Sequence, residues 1–117
     1  MSLLAFHQGT VILADRLLAK AVVVCDRGRI VSIGKRTRLP KETRWIDLQG
    51  GYLCPGFVDL HVHGGGGADF MDGTVAAVRL ACQTHLRHGT TAIFPTTTTG
   101  QPDELEAMLE ACRLAKA

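Results

Sequence analysis

Apolar residues in the first half of the chain come in short β-branched runs separated by turns. Lys20-Ala21-Val22-Val23-Val24-Cys25 and Arg29-Ile30-Val31-Ser32-Ile33-Gly34 read as strands, because Val and Ile suit the pleated, half-buried surface of a sheet. Between them Asp26-Arg27-Gly28 predicts a tight turn, with Gly28 free to take positive φ. Trp45-Ile46-Asp47-Leu48 predicts a further short strand, closed by Gly50-Gly51. No helical periodicity accompanies these runs. A few strands alone do not close a core, so this zone is expected to need a partner surface.

From Pro55 the pattern becomes strand, loop, helix, strand, helix. Phe57-Val58-Asp59-Leu60-His61-Val62-His63 predicts a strand running into four glycines, Gly64 to Gly67. A helix is predicted over residues 74–88, with Val75, Val78, Cys82 and Leu86 as its apolar stripe and Gly89 as its stop. Residues 90–96 form the next strand, apolar enough to predict burial on both faces. The last helix opens at Pro102 in its first turn, with Asp103 and Glu104 beside the positive end of the helix dipole. Leu105, Met108, Leu109 and Cys112 line one of its faces. Strand and helix alternating at this spacing predict parallel β/α units, hence an α/β fold. The predicted organisation is a β-rich portion over residues 1–54 and two β/α units over residues 55–117.

Composition sets bounds on this picture. The chain has 117 residues, 46% of them hydrophobic and 21% charged, which is globular and not disordered. That length excludes a complete (β/α)8 barrel, which takes about 250 residues. The net charge of +2 is unevenly divided, with its positive excess in Lys35, Arg36, Arg38, Lys41 and Arg44. No aromatic residue interleaves this run and Pro40 lies within it, so a solvated loop is favoured over a nucleic-acid surface. Cys25, Cys54, Cys82 and Cys112 form no Cys-x-x-Cys pair, and free thiols in a reducing cytoplasm are expected. Asp15, Arg16 and Lys20 interrupt the apolar start of the chain, which argues against a signal peptide or a membrane span.

His61 and His63 carry the chemistry. In a strand, residues two apart project to the same face, so both imidazoles can reach one cation from the strand's C-terminal end. That end is where α/β folds build their sites, and two neutral imidazole nitrogens suit Zn²⁺ or Fe²⁺. By itself the spacing is more often that of two ordinary surface histidines.

The surrounding residues change that reading. Pro55-Gly56-Phe57-Val58-Asp59-Leu60-His61-Val62-His63-Gly64 resembles the first barrel strand of the amidohydrolase superfamily, whose members hold one or two metals at the barrel mouth. With Gly65-Gly66-Gly67-Ala68-Asp69-Phe70-Met71-Asp72 and His88-Gly89-Thr90-Thr91-Ala92-Ile93-Phe94-Pro95-Thr96, the pattern is similar to the family of N-acetylglucosamine-6-phosphate deacetylases. This resemblance implies an incomplete TIM-type (β/α)8 barrel, its first two β/α units, preceded by part of a small β-sandwich. It implies metal-dependent hydrolysis of the acetamide of a small amino-sugar phosphate, N-acetylglucosamine 6-phosphate, to glucosamine 6-phosphate and acetate. A divalent ion, Zn²⁺ or Fe²⁺, is expected, and a homo-oligomer, a dimer as in the family, with no nucleic acid or membrane as partner. The resemblance places the catalytic Asp and the essential Glu and two His ligands on later strands. Of the metal-site residues only His61 and His63 map onto this chain, at a second or optional metal position.

Other residues have two readings each. Asp59 shares the face of the histidines, where it either orients a ligand imidazole or fixes the strand end. The loop at Gly64 and Gly65 either offers backbone N–H groups to an anionic or sugar substrate or is a flexible connection. Asp69 and Asp72 suit acid–base work, with helix capping near Thr74 favoured for Asp72. Thr96, first of four threonines, is placed to line the pocket, or marks a strand-to-loop transition. His85 and His88 read as surface residues, and His7 has no supporting context. Two other functions fit the same residues: a dihydroorotase-like or deaminase-like amidohydrolase, and a non-catalytic truncated module. The glycine run followed by Ala68-Asp69-Phe70-Met71-Asp72 argues against the former.

Overall fold

The turn at Asp26-Arg27-Gly28 fixes the first hairpin. Arg27 (φ 46°) and Gly28 (φ 75°) both occupy the left-handed region, the turn geometry whose twist matches that of its flanking strands. The structure, a computed structural model, describes residues 3–35 and 38–116, which divide into two units between Pro55 and Gly56. Arg36 of the basic run lies outside the described residues.

In the first unit the central strand is one that its residues do not announce. β1 (Leu4–Ile12) pairs antiparallel with β2 (Leu17–Asp26), which in turn pairs with β3 (Arg29–Gly34). On its other side β1 pairs in parallel with β4 (Arg44–Asp47) and then with β5 (Tyr52–Leu53). The register of β1 slips between Phe6 and Thr10, and Gln8 takes φ 58°. This bulge reverses which face the later side chains meet. Ala5 packs with Val22 and Val24, whereas Val11 packs with Ala21 and Val23. Position 9 requires glycine, because a Cβ there would come within 2.6 Å of the Gly51 carbonyl oxygen. These strands hold two small buried clusters, while Ile30 and Val31 on β3 stay 64% and 58% exposed.

The second unit is a strand–helix–strand–helix run. β6 (Phe57–Val62) leads into a two-strand hairpin made by the glycine run, β7 (Gly64–Gly65) and β8 (Ala68–Asp69), then a single 3-10 turn over Phe70–Asp72. α1 (Val75–Arg87) connects to β9 (Thr90–Pro95), which lies parallel to β6, and α2 (Pro102–Ala115) follows. Thr74 caps α1, its hydroxyl accepting the Ala77 N–H at 3.2 Å. Asp72 does not cap α1 as expected. It accepts the Asp69 N–H at 3.0 Å and closes the 3-10 turn. Gly89 stops α1 at φ 94°, and Glu104 accepts the Gln101 N–H at 2.8 Å at the start of α2.

Val62, Phe70, Val78, Ala81, Met108 and Ala111 form the core of this unit. The buried arcs of the helices are displaced from the stripes of large apolar residues. Ala77, Val78 and Ala81 are buried on α1, and Met108 and Ala111 on α2, while Leu86 and Leu109 stay 59% and 60% exposed. Alanine lets a helix axis approach its neighbour closely, so the contact forms where the side chains are smallest. β9 is not buried on both faces: Ala92 and Phe94, which share one side of the strand, are both exposed, Phe94 by 57%.

Candidate metal centre

β6 ends with its two histidines side by side. His61 lies within the strand and His63 just past its last residue, and the Nε2 atoms approach to 3.1 Å. Their rings are close to perpendicular, at 77°, with centroids 5.0 Å apart. Two nitrogens each about 2.0–2.1 Å from one Zn²⁺, at a tetrahedral angle, are separated by about 3.3 Å. The donor chemistry and the span of the pair therefore fit a single shared cation.

The pair is open in two respects. Among the described residues no group of three or more His, Cys, Asp or Glu side chains is placed to hold a metal ion, so no third side chain of these types completes the pair. The Nδ1 of His63 is also buried without a hydrogen-bond partner among the described residues. An imidazole that gives its Nε2 lone pair to a cation keeps its proton on Nδ1, which calls for an acceptor there.

The neighbouring candidates hold the strand end in place. Asp59 Oδ1 accepts the backbone N–H of His61 at 3.1 Å, so its bond is with the main chain and not with an imidazole. Thr96 Oγ1 accepts the Val62 N–H at 3.1 Å and donates to the Phe94 carbonyl at 3.2 Å, while the Thr96 N–H donates to the Val62 carbonyl at 2.8 Å. The side chain of Thr96 thus joins the ends of β6 and β9. Gly64 and Gly65 pair with Asp69 and Ala68, so the glycine run is an ordered hairpin and not a flexible connection. Asp69 accepts the Met71 N–H at 2.8 Å in the turn that follows.

His85 corrects the sequence reading most sharply. It is half-buried, and its Nε2 lies 2.9 Å from the Gly64 carbonyl oxygen. A carbonyl only accepts, so Nε2 carries the proton and donates. The signal in the sequence is its place one helical turn after Ala81, on the buried arc of α1. His88 is exposed, with Nδ1 2.8 Å from the Thr84 carbonyl. His7 stacks edge-on against Trp45 at 5.1 Å and borders a cleft of about 520 Å³ in the first unit, beside Lys20 and Gly50.

All four cysteines carry free thiols. Burial raises the Cys82 and Cys112 thiols above their ordinary value, and the proximity of Cys82 raises Cys112 further. Among the described residues no helix is long and apolar enough to cross a membrane.

A family model described as the Amidohydrolase family matches residues 52–116, which span both β/α units, and the chain belongs to that family. Within it, the chain is similar to the N-acetylglucosamine-6-phosphate deacetylase of Bacillus subtilis, 28% identical over 119 residues covering 90% of this chain and 30% of that protein. The crystal structure of N-acetylglucosamine-6-phosphate deacetylase from Pasteurella multocida superposes with a TM-score of 0.90 at 30% identity, covering 97% of this chain and 30% of that one. An adenine deaminase of Moorella thermoacetica is 38% identical over 73 residues, covering 62% of this chain and 11% of that protein. The chain spans about 30% of the length of the two deacetylases.

Proposed function

We propose that this segment serves a metal-dependent deacetylase that hydrolyses the acetamide of N-acetylglucosamine 6-phosphate, giving glucosamine 6-phosphate and acetate. The observation that carries the reading is the 3.1 Å approach of two imidazole Nε2 atoms at the end of a parallel strand. In this reading β6, α1, β9 and α2 are the first two of eight β/α units of a TIM-type barrel. The first unit is then part of a small β-sandwich. Further metal ligands and the catalytic Asp come from later strands of the kind the longer relatives have room for.

His61 and His63 hold a divalent cation through Nε2, and imidazole donors suit Zn²⁺ or Fe²⁺. Such an ion, when bound, polarises a carbonyl and makes a water nucleophilic at neutral pH. The chain's own residues do the positioning. Asp59 holds the His61 main chain and Thr96 joins the strand ends, and in this reading Gly64, Gly65 and Thr96 would border the substrate beside the histidine pair. Four free thiols suit work in the reducing cytoplasm, and the uncovered apolar side chains suit burial against the later strands of the barrel and, beyond it, in a homodimer.

The deacetylase reading is preferred to a deaminase because the similarity extends through both units: the deacetylases align over 90% and 97% of the chain, the deaminase over 62%. A chimera with these 117 residues in place of the matched segment of the Pasteurella multocida enzyme tests it. Acetate release from N-acetylglucosamine 6-phosphate is expected. A folded chimera that leaves that substrate intact, or deaminates adenine instead, overturns the assignment. The 117-residue chain alone is expected to release no acetate, because most of the catalytic residues are elsewhere.

A further inference from the structure

We infer that His85 is a positioning residue for the His61–His63 pair, acting through the Gly64 carbonyl to fix the backbone that carries His63. The inference rests on the metal reading above. His63 lies where β6 ends and a glycine hairpin begins, and glycines are the residues least able to hold a backbone direction by themselves. The direction is set from outside on both sides. Before His63, Thr96 grips Val62 through its N–H (3.1 Å) and its carbonyl (2.8 Å). After it, the His63 carbonyl accepts the N–H of Phe70, a fully buried core residue, at 2.8 Å. The next carbonyl, that of Gly64, accepts Nε2–H of His85 at 2.9 Å. Two successive peptide planes are therefore pinned, one by the core and one by α1.

The fit between α1 and the hairpin is specific to this contact. A Cβ on Gly65 would stand 2.9 Å from His85 Nε2, so the glycine is what admits the imidazole. His85 reaches across 21 positions of chain to a half-buried acceptor, and no hydrogen bond within α1 explains the orientation of Nε2. Without the donor, the Gly64 carbonyl loses its tie to α1, the short hairpin with Ala68 and Asp69 is left to hold the backbone after His63, and the His63 ring is set less firmly against His61. A two-imidazole site depends on the distance between the rings, because the cation must sit about 2.0–2.1 Å from both nitrogens at once.

The test is Zn²⁺ titration of the chain by calorimetry, with circular dichroism recording folding. His85→Phe keeps a ring of similar bulk without the N–H and is expected to weaken Zn²⁺ binding about ten-fold, the lower range for loss of a supporting partner. His85→Gln keeps an N–H donor at similar reach and is expected to restore binding to within about two-fold of the parent, which a loss of bulk or helix propensity would not do. Gly65→Ala displaces the imidazole while leaving it in the chain. It is expected to weaken binding like His85→Phe, and it decides the matter if His85→Phe does not fold. If His63→Ala abolishes Zn²⁺ binding while His85→Phe or Gly65→Ala binds like the parent, the positioning role is overturned alone. If His63→Ala binds Zn²⁺ unchanged, the metal reading fails and the positioning role falls with it.

Discussion

His61 Nε2 stands 3.1 Å from His63 Nε2, with His61 exposed and His63 half-buried. Because a shared cation needs both nitrogens, His61→Ala is expected to weaken Zn²⁺ binding by ten-fold or more, as removal of one of two donors. An exposed side chain contributes little to packing, so the unfolding free energy is expected to change by less than about 0.5 kcal/mol. Calorimetric titration beside urea denaturation separates the two effects.

Thr96→Val keeps the shape of the side chain and removes its oxygen from the Val62 N–H. Leaving a part-buried donor unpaired costs about 1–3 kcal/mol, and Thr96→Ser, which keeps the hydroxyl, is expected to recover most of it. Urea unfolding of the three chains gives the comparison.

Gly64 and Gly67 lie in one hairpin and are expected to resist substitution for different reasons. A Cβ on Gly64 would meet backbone, the Ala68 carbonyl oxygen and the Asp69 Cα (2.8 Å), which cannot move aside. Gly64→Ala is therefore expected to cost about 1–3 kcal/mol by overpacking. Gly67 has open space but φ 86°, so Gly67→Ala carries only the left-handed backbone penalty of about 1–2 kcal/mol. At Gly67 an Asn replacement, which tolerates that conformation, is expected to cost less than Ala; at Gly64 it is not. Thermal denaturation of the four variants reads this out.

Cys82 and Cys112 give an alkaline prediction with a definite sign. Burial raises both thiols above their ordinary value of 9.0 in the folded chain. An acid raised on folding leaves stability intact below its unfolded value and removes it as pH rises through the folded one. Stability is expected to fall above pH 9.0, and to fall less in the Cys82→Ala, Cys112→Ala chain, measured as urea midpoints across that range. At pH 8, iodoacetamide is expected to label exposed Cys54 before either of them, as read by peptide mass spectrometry.

Phe70 is fully buried and Met108 is 1% exposed. Phe70→Ala is expected to cost about 3–5 kcal/mol and Met108→Ala about 2–5 kcal/mol, both as cavities in the core of the second unit. Equilibrium denaturation measures them, and the Phe70 change is expected also to weaken Zn²⁺ binding, since Phe70 anchors the His63 carbonyl.

Much of the second unit was legible because each element there announces itself locally. The apolar run before His61, Gly89 after α1 and Pro102 at the start of α2 all took the places their chemistry suggests, whereas the cap of α1 fell to Thr74 and not to Asp72. β1 was not legible, because the bulge at Gln8 and Gly9 shifts its alternation halfway along and leaves neither period intact. The helix faces were misjudged at Leu86 and Leu109, since side-chain size predicts what is apolar but not which surface another element will cover.

By itself, the sequence determined the alternation of strand and helix in the second unit, the turn at Gly28, and the placing of two imidazoles on one side of a strand. These follow from backbone stereochemistry and from spacing, which act over a few residues. Only the tertiary structure decided that Asp59 binds main chain, that Thr96 ties β6 to β9, and that His85 reaches the Gly64 carbonyl. Those contacts join residues up to 34 positions apart, and their partners are mostly backbone groups that every residue carries alike. No side-chain pattern marks such an acceptor in advance, so the support of the histidine pair is visible only once the chain is folded.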